Sequence, residues 1–257
     1  MLPSPCYIIS DAHLGVAPTT DERALLGFLR AIGNDARSVV INGDLFDFWF
    51  EWRHVIPRAG YRVLAAIADI AERGVPITWV AGNHDCWGGE ILRQDVGVDY
   101  VVGTWRGSIA GWRTRIDHGD GLRAVEDRKY RALRSVLRNP LLVKAFRWVH
   151  PDLGARLALG SSNASRTYRA KDNGAGLLQV AMHDLEQEPD LQLLVFAHSH
   201  VAVVERATSG GIYANAGTWL GDSTYLRIDE EAVELLRWRG DATPPALLRR
   251  ERPRDGA

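Results

Sequence analysis

The chain has 257 residues, of which 46% are hydrophobic and 25% are charged, and its formal net charge at pH 7 is −1. These values are ordinary for a soluble globular protein with a sizeable core, and the length suits one large α/β domain or a domain with an insertion. Cys6 and Cys86 form no CxxC pattern, which argues against a disulfide framework and fits a reducing compartment. Because the sequence has no basic, apolar leader and no window of about 18 apolar residues, we expect neither a signal peptide nor a membrane-spanning helix.

The first third of the chain alternates short apolar runs with amphipathic segments of helical spacing. Each apolar run ends at polar or turn residues, which predicts a buried strand. The first amphipathic segment is expected to be capped by Thr20 or Asp21. This alternation of strands and helices is typical of a parallel sheet with crossover helices. The predicted strands are 6–10, 38–41 and 76–80, and the predicted helices are 21–32 and 61–72.

Three consecutive helical segments interrupt the α/β pattern in the middle of the chain. We therefore predict a core formed by residues 1–121 and 172–240 and a helical insertion at 122–171 that caps it. The tail at 241–257 is rich in Pro and Arg with little apolar content, so we expect it to be disordered. The predicted helices are 124–137, 141–149, 153–159 and 174–186, and the predicted strands are 98–102, 113–117, 191–196, 201–206, 211–215, 223–228 and 233–238.

Positive charge is concentrated in the insertion. It contains twelve Lys or Arg residues against three Asp or Glu, a net charge of +9, whereas the rest of the chain carries −10. A basic segment in an acidic body indicates an anionic partner. The insertion also has clustered apolar residues, which favour a lipid-linked anion with acyl chains between helix faces, although the same residues would serve to pack the insertion onto the core. These residues are Leu141, Leu142, Val143, Phe146, Trp148 and Val149.

Five polar clusters follow predicted apolar strands. Asp44 is representative, because it comes after a buried strand and the Asn42-Gly43 turn, where open α/β sheets bind their ligands. A mixture of His, Asp and Asn without thiolates favours Mn, Fe or Zn, and we hypothesise that Asp44 bridges two metal ions. Each cluster alone would be an ordinary turn, but the five together indicate a metal site. The clusters are Asp11-Ala12-His13, Gly43-Asp44, Gly82-Asn83-His84-Asp85, His118-Gly119-Asp120 and His198-Ser199-His200.

The type and order of these clusters resemble the calcineurin-like metallophosphoesterase superfamily. This resemblance implies an α/β sandwich of two mixed β-sheets flanked by helices, with the insertion as a cap. It also implies two divalent metal ions, with Mn²⁺ expected and Fe or Zn as alternatives. His84 would be the catalytic histidine, assisted by Asp85, which would orient His84 or a neighbouring loop. The expected ligands of one ion are Asp11, His13, Asp44 and His200, and those of the other are Asp44, Asn83, His118 and His198.

Longer stretches, some of them in the insertion, look like the UDP-2,3-diacylglucosamine hydrolase branch of this superfamily. That branch cleaves the pyrophosphate of UDP-2,3-diacylglucosamine in lipid A synthesis. Water attacks the α-phosphorus, and UMP and 2,3-diacylglucosamine 1-phosphate (lipid X) are released. The chain departs from the best-known members at His84, where they carry Arg. The similar stretches are 10–15, 43–51, 82–85, 118–121, 139–140, 150–154 and 165–166.

The resemblance implies a lipid-linked nucleotide as partner and a cytoplasmic protein that is peripheral on the inner membrane. Phe46, Asp47 and Trp49 are expected at the rim of the substrate pocket. Two alternatives stay open: a phosphoesterase for cyclic nucleotides, phosphoproteins or nucleic acid, and a non-catalytic binding protein. A nuclease would need a broad basic groove, so charge confined to the insertion argues against a nucleic-acid partner. A binding protein would be free to lose metal ligands, yet all are present. The expected substrate contacts are Ser162, Asn163, Arg166 and Lys171.

Overall fold

A computed structural model describes residues 1–157 and 172–253 of the chain, without the side chain of Lys129. Helices and strands alternate in its first third, as the apolar spacing predicted. The helices are α1 (Thr19–Ile32), α2 (Tyr61–Glu72), a π-helical turn (Ile91–Asp95), α3 (Arg128–Leu137), α4 (Pro140–Phe146), α5 (151–157) and α6 (Ala175–Gln187). The strands are β1 (Cys6–Ile9), β2 (Ser38–Asn42), β3 (Ile77–Val80), β4 (Asp99–Val101), β5 (Trp105–Ile109), β6 (Trp112–Ile116), β7 (Leu193–Phe196), β8 (Val203–Arg206), β9 (Ile212–Asn215), β10 (Thr224–Ile228), β11 (Val233–Arg237) and β12 (Ala246–Glu251).

These strands form two mixed sheets, which confirms the predicted fold class. The first sheet has the order β12-β11-β10-β1-β2-β3-β4, in which β1 to β4 are parallel and β10 to β12 extend the sheet antiparallel. The second sheet has the order β5-β6-β7-β9-β8, in which β6, β7 and β9 are parallel and the outer strands are antiparallel to their neighbours. β5 had not been predicted, because four of its five residues are partly or fully exposed and it contains no apolar run.

Three apolar layers hold the sandwich together. Side chains from both sheets, such as Ile8 and Val195, form the central layer. Leu29 of α1 and Ile67 of α2 belong to the layer on the outer face of the first sheet, and Leu185 of α6 belongs to the layer on the outer face of the second. Burial on both faces explains why β1 and β7 are apolar throughout instead of alternating between apolar and polar residues.

The insertion contacts the core through an aromatic cluster. Phe50 and Trp52 are buried in it, and Phe146 of α4 packs against them with its ring centroid 4.9 Å from that of Phe50. The indole Nε1 of Trp52 also donates a hydrogen bond to the carbonyl of Val149 at 3.0 Å. Within the described ranges, no helix is both long and apolar enough to cross a bilayer.

The predicted cap of α1 is wrong. The helix begins at Thr19, and its N-cap is Pro18, which makes no side-chain hydrogen bond. Thr20 and Asp21 therefore lie inside the first turn. Asp21 instead accepts a hydrogen bond from the backbone N–H of Gly221 at 2.9 Å, a long-range contact that local spacing cannot reveal.

The first helix of the insertion is shorter than predicted. It begins four residues later, at Arg128, because the carboxylate of Asp127 accepts hydrogen bonds from the backbone and guanidinium N–H groups of Arg123 and holds this segment as a turn. The predicted break at Asn139 is confirmed, since its side chain caps α4. α4 ends at Phe146 instead of 149. Of the third predicted helix, only the part up to 157 lies among the described residues.

The expectation of a disordered tail is wrong for β12, which pairs antiparallel with β11. An ion pair of 2.8 Å joins Arg250 to Glu234 of β11, and another of 3.0 Å joins Glu251 to Arg206 of β8 in the other sheet. A strand at a sheet edge needs little apolar surface when backbone pairing and ion pairs hold it. Residues 254–257 lie outside the described part.

Candidate metal centre

The five polar clusters meet at one edge of the sandwich. Asp11, Asp44 and Asn83 follow the neighbouring parallel strands β1, β2 and β3, while His118 and His198 follow β6 and β7 of the other sheet. Parallel strands present their carboxyl ends at the same edge, which is why residues far apart in the sequence come together there. The expected gathering of these side chains is therefore observed.

Asp44 lies at the middle of the cluster and is 1% exposed. Its Oδ2 atom is 3.2 Å from Nε2 of His118 and 4.0 Å from Nε2 of His13. The same Nε2 atom of His13 lies 3.2 Å from Nε2 of His200. Nε2 of His200 in turn lies 3.3 Å from Oδ1 of Asp11. These side chains thus surround a common space.

Three sets of side chains have potential ligand atoms within 4.8 Å of one another. Two of these sets correspond to the two expected ion sites, and Asp44 belongs to two of the three sets. The third set includes His84, so distance alone would also permit His84 as a ligand. The sets are Asp11, His13 and His200; Asp44, His118 and His198; and His13, Asp44 and His84.

Hydrogen bonds outside the cluster determine which ring nitrogens face it. Nδ1 of His118 donates to the carbonyl of Asn42 at 2.8 Å, and Nδ1 of His84 donates to the carbonyl of Asp47 at 2.8 Å. Nδ1 of His13 lies 3.2 Å from the carboxylate of Asp47. Because carbonyl and carboxylate oxygens only accept, each ring keeps a hydrogen on Nδ1 and directs Nε2 to the cluster.

Several buried polar atoms in this space lack a hydrogen-bond partner among the described residues: Oδ1 of Asp11, Oδ1 of Asn83 and Nε2 of His118. Leaving a buried polar group unsatisfied costs about 1–3 kcal/mol, so such atoms rarely gather without a ligand. Imidazole, carboxylate and amide groups together suit a divalent cation of the Mn, Fe or Zn type. The donor set therefore fits a divalent metal site.

The pKa values of Asp44, Asp11 and His198 are shifted so that these groups can bind a metal ion at neutral pH. Burial alone would raise the pKa of Asp44, but the imidazoles of His118, His84 and His13 hold it well below its usual value. Burial likewise would raise the pKa of Asp11, yet His200 and His118 lower it. The pKa of His198 falls to about 4, through burial and the neighbouring His118. Both carboxylates are therefore ionised, and His198 is neutral.

Backbone strain is concentrated at the same residues. Of the eight non-glycine residues with a left-handed φ in the described part of the chain, five belong to the expected ligand set. Such conformations cost on the order of 1–3 kcal/mol each and persist where surrounding contacts enforce them, typically at functional sites. The five are Asp11 (φ 51°), His13 (46°), Asp44 (51°), His198 (64°) and His200 (60°).

Two glycines allow the loops to approach closely. Gly43 has a φ of 76°, and a Cβ there would collide with Nδ1 of His118 and lie 2.6 Å from the backbone nitrogen of Gly82. A Cβ on Gly82 would overlap the carboxylate of Asp44. The turn chemistry inferred for Gly43 is confirmed, and Gly82 is a second position where only glycine fits.

Asp85 joins two loops and makes no hydrogen bond to the ring of His84. Its carboxylate accepts hydrogen bonds from the backbone N–H groups of Gly82 at 2.8 Å and Leu45 at 2.9 Å, and from the indole of Trp79 at 3.3 Å. Burial and the nearby Asp44 raise its pKa to about 6. These contacts hold the loop after β3 against the loop after β2, which fits the expectation that Asp85 orients a neighbouring loop.

The expected pocket rim is wrong for Phe46 and Trp49. Both side chains are completely buried in the core, where their rings stack with centroids 4.6 Å apart. Asp47, 2% exposed, lies beneath the site and contacts His13 and His84. The four expected substrate contacts, Ser162, Asn163, Arg166 and Lys171, lie outside the described residues.

A sixth loop, after β9, had been missed. Thr218 donates a hydrogen bond to the carbonyl of Asp11 at 2.8 Å. The side chain of Asn215 donates to the carbonyl of Ala197 at 3.0 Å and to Ser199 at 3.1 Å, beside the two histidines of that loop. The signal was available, because polar Asn215-Ala216-Gly217-Thr218 follows an apolar run as the other five clusters do.

Comparison with known proteins matches residues 4–202 to the calcineurin-like phosphoesterase family. The UDP-2,3-diacylglucosamine hydrolase of Porphyromonas gingivalis is 30% identical over 253 residues, covering 90% of this chain and 97% of that protein. The UDP-2,3-diacylglucosamine hydrolase of Xanthomonas oryzae pv. oryzae is 28% identical over 241 residues, covering 88% and 96%. Among solved structures, a dimetal phosphatase from Danio rerio aligns with a TM-score of 0.47 at 14% identity, covering 95% of this chain and 99% of that one.

Proposed function

Because the chain belongs to the calcineurin-like phosphoesterase family, we propose that it hydrolyses UDP-2,3-diacylglucosamine to UMP and 2,3-diacylglucosamine 1-phosphate in lipid A biosynthesis. Its family makes it a hydrolase of phosphodiester or pyrophosphate bonds. The assignment of this substrate rests on the extent of the similarity to proteins named UDP-2,3-diacylglucosamine hydrolase. It spans 90% of the chain and so is not confined to the metal-binding motifs that the whole family shares.

The surface of the insertion supports a lipid-linked substrate. Large apolar side chains are exposed along it, with Leu141 at 76% and Trp148 at 89%. Exposed apolar residues among Lys and Arg suit acyl chains and phosphate groups together, and they also suit the surface of an anionic membrane. We therefore place the protein peripherally on the cytoplasmic face of the inner membrane. The exposed large apolar residues in the described part of the insertion are Val125, Leu133, Val136, Leu141, Leu142, Trp148, Leu153 and Leu157.

The proposed cofactor is a pair of divalent metal ions, with Mn²⁺ expected and Fe or Zn as alternatives. When bound, the two ions would lower the pKa of a water molecule and offset the negative charge of the phosphoryl group. The clustering of Asp44 with His13 and with His118 supports its place as the shared ligand. One ion would be held by Asp11, His13, Asp44 and His200, and the other by Asp44, Asn83, His118 and His198.

His84 is proposed as the catalytic histidine. Its Nδ1–H is engaged by the carbonyl of Asp47, so Nε2 is the atom available to a phosphoryl oxygen. The leaving group is a phosphate monoester with a second pKa of about 6, which needs little help from an acid at neutral pH. We therefore assign His84 chiefly to stabilising negative charge on the phosphoryl oxygens.

The test offers the purified protein, with Mn²⁺, three substrates: UDP-2,3-diacylglucosamine, bis-p-nitrophenyl phosphate and a phosphopeptide. Release of UMP from the first is the expected result. If no UMP appears while another substrate turns over, the substrate assignment is wrong although the family chemistry stands. Asp44→Ala should abolish turnover of every substrate, because both ion sites share that carboxylate.

A further inference from the structure

Helix α3 of the insertion is attached to the core by polar side chains. None of its described side chains is buried, and its apolar Leu133 and Val136 are each 52% exposed. By contrast, the phenol of Tyr130 donates a hydrogen bond to Oδ2 of Asp120 at 2.7 Å, and Arg134 donates to the carbonyl of Asp120 at 3.0 Å. Since apolar packing does not hold α3, these polar contacts set its position.

Asp120 is 5% exposed and lies two residues after His118 in the sequence. It belongs to none of the three potential metal-binding sets, so it is not among the proposed ligands. Its Oδ2 atom is instead 3.4 Å from the guanidinium of Arg134 and 3.6 Å from that of Arg138. The carboxylate of Asp120 thus interacts with residues of the insertion.

The partners of Asp120 lie along one side of α3. Tyr130, Arg134 and the C-cap residue Arg138 are spaced four residues apart, so they share a helix face, while Leu133 lies beside this face and Val136 lies opposite it. The carboxylate of Asp120 therefore helps to set which way the exposed apolar side of α3 is turned, together with the hydrogen bond that the indole of Trp87 donates to the carbonyl of Leu137 at 2.9 Å. The phenol remains a donor because burial and Asp120 both raise the pKa of Tyr130.

We propose that Asp120 is a positioning residue that holds α3 at a defined distance from the His118 loop and thereby sets selectivity for substrates large enough to contact the insertion. This inference rests on the proposed function, because it requires the insertion to hold part of the substrate. A small diester reaches the metal centre without contacting the insertion, so its KM does not depend on the position of α3. A diacylated nucleotide sugar binds well only while α3 is held in place.

The test compares Tyr130→Phe with Ser135→Ala, which removes a hydroxyl from an exposed position of the same helix. In Tyr130→Phe, we expect faster amide hydrogen exchange in α3 and an increase of roughly tenfold in KM for UDP-2,3-diacylglucosamine, the size expected for one hydrogen bond to a carboxylate. The kcat and KM for bis-p-nitrophenyl phosphate and the bound metal should stay within about twofold of the wild type, and Ser135→Ala should match the wild type throughout.

A second variant separates positioning from general stability. Asp120→Asn keeps an acceptor for the phenol of Tyr130. Its KM for UDP-2,3-diacylglucosamine should therefore rise less than that of Asp120→Ala. Equal increases in KM for the large and the small substrate, or unchanged exchange in α3 of Tyr130→Phe, would overturn the proposal. If the wild type releases no UMP, the proposed substrate is wrong, and so is the proposed role of Asp120 in selectivity. Hydrogen exchange in α3 would still show whether Asp120 holds this helix in place.

Discussion

Nε2 of His118 lies 3.2 Å from Oδ2 of Asp44, and both side chains are almost completely buried. Burial alone would lower the pKa of His118, but Asp44 and Asp11 raise it well above its ordinary value. The same attraction holds the pKa of Asp44 well below its ordinary value. Without metal the two residues form a buried ion pair, and a cation binding there must displace the proton on Nε2.

The first prediction concerns the pH dependence of the metal-free protein. Asp44 stabilises the fold above its ordinary pKa of 3.8, and this contribution is lost as the pH falls through its lowered value. His118 contributes fully below its ordinary pKa of 6.5 and less as the pH rises through its raised value. The pair is therefore most stabilising between these two ordinary values and weakens towards alkaline pH.

The measurement is the Tm of chelator-treated wild type and of Asp44→Asn from acid to alkaline pH. The difference in Tm between the two proteins isolates this pair from other titrating groups, such as His198 with its pKa of about 4. The difference should shrink at alkaline pH. A difference that stays constant there would show that His118 carries no raised pKa.

The second prediction separates catalysis from metal binding at His84. His84→Ala should retain the full metal content, because Asp44 keeps its neighbours His13 and His118. Turnover of bis-p-nitrophenyl phosphate should fall by about 10²–10³-fold, the range typical of removing one group that stabilises charge in the transition state. Metal analysis and kcat are measured together, with His183→Ala on the exposed face of α6 as control. Loss of metal would instead make His84 a ligand, which its place beside His13 and Asp44 allows.

The third prediction concerns Gly82. In Gly82→Ala the new Cβ would overlap the carboxylate of Asp44, so the loop or the carboxylate must shift. We expect a loss of about 1–3 kcal/mol in the free energy of unfolding, typical of overpacking, and a weaker affinity for Mn²⁺. Denaturant titration and metal titration are the measurements. Gly27→Ala is the control, because its Cβ would meet only the side chain of Asp241, and unchanged metal affinity in Gly82→Ala would contradict the close approach.

The fourth prediction concerns the C-terminal strand. A chain that ends at residue 245 lacks β12 and with it the backbone pairing to β11 and the ion pairs of Glu234 and Arg206. We expect the free energy of unfolding to fall by about 2 kcal/mol, since most side chains of β12 are exposed and the loss is mainly hydrogen bonds. Thermal and denaturant unfolding measure it against a chain ending at residue 253. Equal stability of the two would mean that β12 does not contribute to the fold.

Local pattern was sufficient for the strands that are buried on both faces and for an amphipathic helix with clear spacing. The bounds of α2 agree with the prediction, and β1, β2, β3 and β7 differ from it by one or two residues at an end. The strands carry uninterrupted apolar runs because the sandwich buries them completely, and α2 has clear helical spacing because it buries one face. β5 and β12 were missed because partly exposed strands depend on backbone pairing with residues distant in the sequence.

The aromatic segment after Asp44 shows the limit of motif reading. The side chains of Phe46 and Trp49 lie in the core, whereas Phe50 and Trp52 contact the insertion. Sequence spacing could not separate the two groups, because the segment is neither helix nor strand and lacks a period that assigns its faces. Only the packed structure decides which ring is turned to which side.

The sequence by itself determined the chemistry: its His, Asp and Asn residues, each placed after a strand, indicate a divalent metal site, because imidazole, carboxylate and amide groups supply ligand atoms that suit such ions. The tertiary structure decided which groups orient those ligands. The carbonyl of Asn42 holds His118 across 76 residues of sequence, and Thr218 holds Asp11 across 207. Such partners depend on which loops meet when the two sheets pack. Any residue type can supply a backbone carbonyl as acceptor, so the sequence does not reveal which one is used.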